Sequence, residues 1–422
     1  MSKFLALILA AAAAVMVQAQ CPANTRLCGS DILNTYQCAT ELSLTFITPE
    51  GNSPYDCHFR TNEAGEPQAM GAACCAAGRC ANGECWPWYP NCTYPNCTYP
   101  PSLKMSCSQL VVERLDPLVS PGAVGSHHVH QIVGGDSFNA TMDPSTDPAE
   151  LSTCTTCTFT DDFSNYWSPS MYFRARNGTY KRVKQLGALF HENARGGGIT
   201  IYYFSPNYGP PNITAFRQGF RMRSGHPDAK GPNEDIYFTC LITDSTRYTN
   251  MSYTFPAQMC PEGILTHIYF PSCWDGVNLD SPDHTSHVAY PAKGDFGRLE
   301  EPPCPASHPV RIPRILLEAR WDTREFNKPE LWPEDGSQPF VWSFGDNVGY
   351  GQHGDYIFGW RGDSLQKAFD SVDCVNQLCG LPTQMIEEAN ECRKEPIVDE
   401  DVDGWLEELP GGPPRPGTPT AR

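Results

Sequence analysis

The chain is poor in positive charge, and it lacks the motifs by which common hydrolases are recognised. It carries 30 lysine and arginine residues against 48 aspartate and glutamate residues, a formal net charge of −18. Nucleic acids and anionic membranes attract basic surfaces, so this composition argues against both as partners. Neither Gly-x-Ser-x-Gly nor His-Glu-x-x-His occurs. The sequence therefore indicates neither an α/β-type serine hydrolase nor a zinc-protease helix.

Long apolar runs are also absent beyond the N-terminus. Residues 2–19 join Lys3 to an alanine-rich apolar run that ends at Ala19, which predicts a signal peptide over residues 1–19. No later stretch is apolar for long enough to span a bilayer as a helix. The polar, proline-rich C-terminus does not match a lipid-anchor signal. We therefore expect a secreted, extracellular protein with no membrane anchor.

Cysteine, by contrast, is abundant, with 20 residues in the chain. In an oxidising compartment disulfide bonds are the default state of such cysteines. Six Asn-x-Ser/Thr acceptors agree with secretion and are expected at the surface. They are Asn91, Asn96, Asn139, Asn177, Asn212 and Asn250. The sequence thus predicts a disulfide-bonded glycoprotein.

Composition divides the chain into four segments. They are the signal peptide (1–19), a cysteine-rich module with a glycosylated connector (20–107), a large β domain (108–395) and an acidic, then Pro/Gly-rich tail (396–422). The module holds 11 cysteines and the β domain nine. Because both counts are odd, we expect at least one disulfide between the two segments, with Cys107 as the candidate. The tail is expected to be disordered from about Gly411, since it has little apolar surface to bury.

Strand patterns dominate the large domain. Six runs rich in Tyr, Phe, Ile, Val and Thr lie between turn residues: Ile199–Phe204, Ile236–Thr243, Ile264–Pro271, Val310–Trp321, Phe340–Phe344 and Tyr356–Trp360. One helix is predicted to begin after Asp363 and to end before Gly380. Many short strands with few helices predict a mainly β fold, a sandwich or jelly-roll-like domain preceded by a small disulfide-rich module.

The first block with chemical potential is Ser126–Gly135, which contains His128 and His130. Alternate residues of a strand lie on one face, so the two imidazoles would project together. At that spacing they can share a divalent metal ion, or one can act as a base that the other orients. The alternative is a pair of buried histidines hydrogen-bonded to backbone and carboxylate groups.

The second block is Tyr269–Tyr290, a loop between two predicted strands that contains Asp275, His284 and His287. Loops held by rigid elements often carry binding and catalytic groups. The two histidines can clamp a ligand while a nearby carboxylate fixes their tautomers. The alternative is a turn stabilised by the hydrogen bonds that Asn and Asp side chains make with the backbone.

The third block, Ser343–Trp360, is rich in glycine and contains His353 and Asp355. Glycine lets the backbone approach a ligand closely. Three tryptophans add flat faces on which sugars can stack, with core packing as the alternative: Trp167, Trp274 and Trp360. These are the candidate substrate-binding residues.

Taken together, the blocks resemble a fungal secreted family known as a domain of unknown function, number nineteen-ninety-six. The resemblance covers about residues 108–412 and rests on motifs that recur in order: ERLDPLVSPG (113–122), SHHVHQIVGG (126–135), STCTTCTFTDDFSNYWSP (152–169), YFPSCWDG (269–276), DSPDHTSHVAYP (280–291), CPASHPVRIPRILLE (304–318), GDNVGYGQHGDYIFGW (345–360) and LEELPGG (406–412). The family pattern Ser-x-His-x-His carries over to His128 and His130. The resemblance implies secretion and a cell-wall or plant-polymer setting, and it implies no activity.

Two functions of different classes remain open. The first is a secreted carbohydrate-active enzyme that acts on cell-wall or plant polysaccharide, with a divalent metal ion as candidate cofactor on His128 and His130. Its catalytic groups would be His128, His130, Asp275, His284, His287, His353 and Asp355. The second is a non-catalytic protein that binds glycan or belongs to the cell wall, in which the histidines are structural. Whether these histidines converge in one cleft separates the two hypotheses.

Overall fold

The computed structural model divides the chain into two compact units, Met1–Thr98 and Tyr99–Arg422. It describes residues 102–187, 194–205, 213–243, 250–291, 303–371 and 380–412, together with seven short strands of the first unit. Those strands are β1 (Arg26–Ser30), β2 (Thr35–Thr40), β3 (Ser43–Ile47), β4 (Phe59–Thr61), β5 (Pro67–Ala69), β6 (Gly78–Ala81) and β7 (Glu84–Pro87). The expected signal peptide, glycosylated connector and disulfide framework of the cysteine-rich module lie outside the described residues.

The larger of the two main sheets in the second unit has seven strands. They are β8 (Ser102–Cys107), β14 (Gln185–Leu186), β15 (Ile199–Phe204), β17 (Ile236–Cys240), β18 (Met251–Ser252), β19 (Ile264–Tyr269) and β23 (Arg314–Trp321). Their order is β18-β17-β19-β23-β15-β8, and β14 also pairs with β23. Every pairing is antiparallel.

The other main sheet has five antiparallel strands. They are β9 (Val111–Glu113), β10 (His130–Gly134), β11 (Asn165–Pro169), β16 (Arg221–Gly225) and β25 (His353–Ile357). Their order is β16-β25-β11-β10-β9. The sheet therefore places β25, from late in the chain, close to β10, from early in the unit, with β11 between them.

Two smaller antiparallel sheets and a few short helices complete the described part of this unit. One sheet contains β12 (Met171–Arg174), β13 (Tyr180–Arg182), β24 (Phe340–Trp342) and β26 (Trp405–Leu406), and the other β20 (Cys273–Trp274), β21 (Val288–Ala289) and β22 (Val310–Arg311). The helices are α1 (Pro148–Leu151), α2 (Ser364–Asp370), α3 (Ile386–Ala389) and one 3-10 turn (Arg324–Phe326). The prediction of a mainly β fold is confirmed.

The two main sheets face each other across the principal hydrophobic core. Tyr356 of the five-stranded sheet and Ile201 and Leu317 of the seven-stranded sheet belong to one buried cluster. Strands present alternate residues to opposite faces, so the five-stranded sheet has a second face to cover. There, Ile132 and Trp167 belong to a separate buried cluster. This second face also carries the polar residues of the candidate site.

A buried polar network crosses the principal core. The Tyr166 hydroxyl donates to the Asp162 carboxyl at 2.7 Å, and Tyr203 donates to Tyr356 at 3.1 Å. Trp360 donates its indole N–H to the Tyr203 hydroxyl at 3.1 Å. Burial raises the pKa of Asp162 to about 7. The interior is therefore held by specific hydrogen bonds as well as by apolar packing.

The predicted helix begins where the sequence places it. Helix α2 follows Asp363, and Leu365, Ala368 and Phe369 are its buried residues. The Asp363 carboxylate makes no capping hydrogen bond and instead pairs with Lys367 at 2.7 Å. The helix starts from its apolar stripe rather than from a side-chain cap.

Four disulfides are formed among the described residues: Cys107–Cys157, Cys154–Cys392, Cys240–Cys260 and Cys273–Cys304. Such bonds are consistent with an extracellular protein. Cys107, the predicted link between segments, does bond to Cys157 of the β domain. However, it lies in β8, inside the second compact unit. The predicted disulfide is thus present, and both of its cysteines belong to the second compact unit.

Candidate metal centre

Three histidine side chains converge at the edge of the five-stranded sheet where β10 and β25 begin. His130 and His353 are the first residues of these strands, and His128 precedes β10. All three are buried, and one ring nitrogen from each lies within 4.8 Å of the others. Ring centroids are 4.2 Å apart for His128–His130 and 5.0 Å for His128–His353. The fold thus unites residues that are 225 positions apart.

The protonation of His130 follows from its backbone contact. Its Nδ1 lies 2.9 Å from the carbonyl oxygen of Leu115. A carbonyl only accepts, so Nδ1 carries the hydrogen and Nε2 presents a lone pair. That Nε2 is buried and makes no hydrogen bond within the described structure. Burial lowers the pKa of His130, and nearby Asp116 acts in the opposite direction.

His353 has the same arrangement. Its Nδ1 donates to the carbonyl oxygen of Gly351 at 2.7 Å, which leaves Nε2 as the atom with a lone pair. This Nε2 accepts a hydrogen bond from Nε2 of His128 at 3.0 Å, and a metal ion bound to both nitrogens would replace the shared hydrogen. Burial lowers the pKa of His353 well below its usual value, and His130 contributes in the same direction. Both histidines are therefore held neutral, in the form that binds metal ions.

The geometry suits a divalent ion. Zinc–nitrogen bonds are about 2.0–2.1 Å, so two nitrogens of a tetrahedral site lie roughly 3.3 Å apart. The observed 3.0 Å between His128 and His353 is close to that spacing. Histidine ligands usually donate their second nitrogen to a carbonyl or carboxylate, as His130 and His353 do here. Three histidine ligands leave a fourth position for water or substrate.

A buried carboxyl and a buried guanidinium lie on the same sheet face. Asp355 is two residues beyond His353 in β25, and it is paired in register with Arg223 of β16. Neither Asp355 oxygen nor the Arg223 Nε makes a hydrogen bond to any described residue. Burial raises the pKa of Asp355 well above its usual value, with Asp116 adding to the rise and Arg223 opposing it.

A cavity of about 100 Å³ is lined by two of the three clustered histidines, His128 and His353. Its lining residues are Asp116, Val119, Ser120, His127, His128, Arg223, Pro227, Asp228, Phe344, His353, Gly411 and Gly412. Gly411 and Gly412, where disorder was expected to begin, are among these lining residues, and residues 413–422 lie outside the described residues. A larger cavity of about 210 Å³, beside Arg221 and Met142, includes none of the three histidines.

The loop histidines are bonded elsewhere. His287 Nδ1 lies 2.8 Å from the Ser281 hydroxyl, and its Nε2 donates to the carbonyl oxygen of Arg221 at 2.9 Å. Burial lowers the pKa of His287. His284 Nδ1 pairs with Asp280 at 2.7 Å. The structure does not bring these two histidines into the cluster, and their hydrogen bonds hold the loop against β16.

The Asp275 carboxylate likewise forms hydrogen bonds within its own turn rather than with the histidine cluster. One carboxylate oxygen accepts from the backbone amides of Val277 and Asn278, at 2.8 and 2.9 Å. The other accepts from the Asn278 side chain at 2.7 Å. This is the Asp-stabilised turn that the sequence offered as the alternative.

The three candidate sugar-stacking tryptophans are buried. Trp167, Trp274 and Trp360 are 0%, 3% and 1% exposed. Trp167 packs edge-on against Phe138, and Trp360 bonds to Tyr203 in the core. A sugar cannot reach these faces, so we assign none of the three to substrate binding. Conversely, sequence reasoning missed Arg223 and Asp116, because it searched for histidines and for carboxylates in glycine-rich loops.

Comparisons with known proteins give a family and no function. A family model described as "Domain of unknown function (DUF1996)" matches residues 116–360. This range includes the three histidines, Asp355 and Arg223. No curated protein and no solved structure matches the chain. Within the described residues, no helix has the length and apolarity to cross a membrane. The match spans more than half of the chain, which therefore belongs to the family of this domain of unknown function.

Proposed function

We propose that this protein is a secreted enzyme whose active site is a divalent metal ion held by His128, His130 and His353. One observation carries the proposal: three buried imidazoles bring ring nitrogens together beside a cavity that two of them, His128 and His353, line. Leaving a buried nitrogen such as His130 Nε2 without a partner costs about 1–3 kcal/mol. A metal ion would satisfy that nitrogen.

The bound ion would polarise a substrate oxygen or lower the pKa of a water molecule at the fourth position, which suits hydrolysis or elimination. The chain's own residues prepare the site. Leu115 and Gly351 fix the tautomers of His130 and His353 through their carbonyl groups. Phe344 packs edge-on against His128 and shields it from bulk water. The proposed substrate class is cell-wall or plant polysaccharide, which the family resemblance favours.

The second candidate is a non-catalytic extracellular protein that binds glycan or belongs to the cell wall. It is favoured by the complete burial of His130 and the near-complete burial of His353, 0% and 2% exposed, which also suits a structural role. Structural zinc sites, however, usually have four protein ligands. Among the described residues this cluster has three, which supports the catalytic hypothesis.

Metal content tests the centre directly. After loading with zinc and dialysis, the wild-type protein should retain about one equivalent by mass spectrometry of the metal. His128→Ala, His130→Ala and His353→Ala should each retain less than about a tenth of that. His128→Ala should abolish metal content or activity at little cost in stability. His308→Ala is the matched control, because His308 is half-buried outside the cluster and its two ring nitrogens bond to the Ser307 hydroxyl and the Ser286 carbonyl oxygen.

Activity provides the second readout. The purified protein should be screened on wall polysaccharides with and without a chelator, and zinc should restore any activity that the chelator removes. A folded wild-type protein that retains no metal, together with His128→Ala that unfolds, would make the histidines structural. The non-catalytic hypothesis would then stand.

Secretion has its own test. Asn139, Asn177 and Asn250 are exposed, as glycan acceptors must be. After release from eukaryotic cells and treatment with a peptide N-glycosidase, these asparagines should be found as aspartates by peptide mapping. Unmodified asparagine at all three positions in protein recovered from the medium would contradict the glycoprotein prediction. Asn91, Asn96 and Asn212 lie outside the described residues.

A further inference from the structure

Arg223 is a buried cation without a counter-ion in the described part of the chain. The residue is 8% exposed, and its Nε is buried without a hydrogen-bond partner. Among the described residues its side chain forms no ion pair. Burying an unpaired charge is costly, and buried arginines are normally paired. A guanidinium kept in this state indicates that a ligand supplies the missing partner.

The surroundings of Arg223 show where that partner would bind. Arg223 lines the cavity together with His128 and His353. Asp355, its neighbour in register, is not among the lining residues, and within the described structure its own oxygens also lack hydrogen bonds. The two side chains lie on adjacent strands without a hydrogen bond between them. The Arg223 guanidinium can therefore bind a ligand in the cavity, because it is not hydrogen-bonded to the Asp355 carboxyl beside it.

The other two carboxylates that line the cavity do not pair with Arg223 either. Asp116 uses one oxygen to accept from the backbone amides of Leu118 and Val119, at 3.1 and 3.0 Å. Asp228 is exposed to water. Neither forms an ion pair with Arg223 in the described structure. The cavity thus combines two histidines of the cluster, His128 and His353, with a guanidinium that forms no ion pair among the described residues.

We propose that Arg223 binds an anionic group of the substrate, a carboxylate or a phosphate, beside the three-histidine centre. The guanidinium fork matches the oxygens of either group. The inference builds on the proposed enzyme, since it identifies the substrate as an acidic molecule. Within the polysaccharide class, that means a polymer with uronic acid or phosphorylated residues rather than a neutral glucan.

The test measures anion binding by calorimetry on the zinc-loaded full chain. The probes are galacturonate, inorganic phosphate and, as neutral control, glucose. Arg223→Met removes the charge at similar length, Arg223→Lys keeps the charge without the fork, and Arg174→Gln is the control at an exposed arginine of β12. Wild type and Arg174→Gln should bind at least one anion and not glucose. Arg223→Met should bind it about 10–100-fold more weakly, with Arg223→Lys between.

Thermal unfolding supplies a readout that a purely structural role would not give. Because the charge is unpaired, Arg223→Met should melt no lower than wild type without anion, and the anion should raise the melting temperature of wild type only. Preference for galacturonate over phosphate would identify a uronate site, and the reverse a phosphate-ester site. Equal anion affinity in wild type and Arg223→Met, or no anion binding by wild type, overturns the inference.

The same measurement on chelator-treated protein separates this inference from the proposed function. Anion binding that depends on Arg223 but occurs in a protein without metal affinity would keep the anion site and reject the metal centre. Normal metal content without anion binding would keep the metal centre and reject the anion site.

Discussion

Replacing Gly134 by alanine is expected to prevent stable folding of the large unit, at a cost on the order of 4 kcal/mol or more. Gly134 has φ of +112°, and a Cβ added there would lie 1.8 Å from the backbone carbonyl oxygen of Ser164. Gly134 pairs in register with Asn165 on β11. The two strands would have to separate to admit one methyl group, and the strand that moves begins with His130.

Substitutions at two other glycines distinguish the cost of the steric clash from the cost of a positive φ. Gly178 also has positive φ, +89°, but no heavy atom lies within 4 Å of its added Cβ, so Gly178→Ala should cost only about 1–2 kcal/mol. Gly231 has open space and no positive φ, so Gly231→Ala should change stability by less than about 1 kcal/mol. Urea denaturation of the three variants measures this order. Equal midpoints for Gly134→Ala and Gly178→Ala would show that the strands accommodate the methyl group.

The second expectation is that Asp162→Asn becomes progressively more stable relative to wild type as pH rises. Burial raises the pKa of Asp162 to about 7 from its ordinary value of 3.8. The folded protein therefore holds this proton more tightly than the unfolded chain does. The resulting stabilisation is complete below about pH 4 and is lost as pH rises through about 7. Because each tenfold difference in proton affinity is worth about 1.4 kcal/mol, the loss is at most on the order of 4 kcal/mol.

Asparagine does not titrate, so the variant lacks this contribution at every pH. Its side-chain oxygen can still accept from Tyr166 or from the Ser164 amide, as Asp162 does. The free energy of unfolding of both proteins should be measured by urea denaturation at pH 4.5, 6 and 8. The difference between them isolates Asp162 from other buried acids such as Glu113 and Asp346, whose pKa values are also raised. Parallel curves across this range would mean that Asp162 is charged in the core.

Strands with a regular apolar pattern could be located from the sequence. Ile199–Phe204 is a strand with the predicted bounds. The predicted strand Val310–Trp321 is two strands, because Pro313 lacks the N–H that would continue the ladder. The strand His353–Ile357 begins earlier than predicted, since its first residues, His353-Gly354-Asp355, read as a loop. Because His353 and Asp355 are polar although their strand is buried, the apolar pattern that marks a strand is missing at the candidate site.

For the site, the His-x-His pattern identified His128 and His130, although the strand it assumed begins only at His130. The third histidine was named only among several candidates. Nothing local distinguishes His353 from His284 or His287. The difference is tertiary: His353 meets the pair through sheet pairing, whereas His287 is bonded to Ser281 and to the backbone of β16. Arg223 could have been suspected as a charge at an alternate position of an otherwise buried strand. Its importance depends on a missing partner, which a sequence does not reveal.

The position of β25 has a consequence for biosynthesis. It is the last of its five strands to be synthesised, yet it lies between β16 and β11. Until residue 357 has left the ribosome, both neighbours expose an open hydrogen-bonding edge, and such edges invite aggregation. A chain truncated before β25 would have neither a continuous sheet nor His353. The proposed three-histidine centre can thus be completed only after β25, and with it His353, has been synthesised.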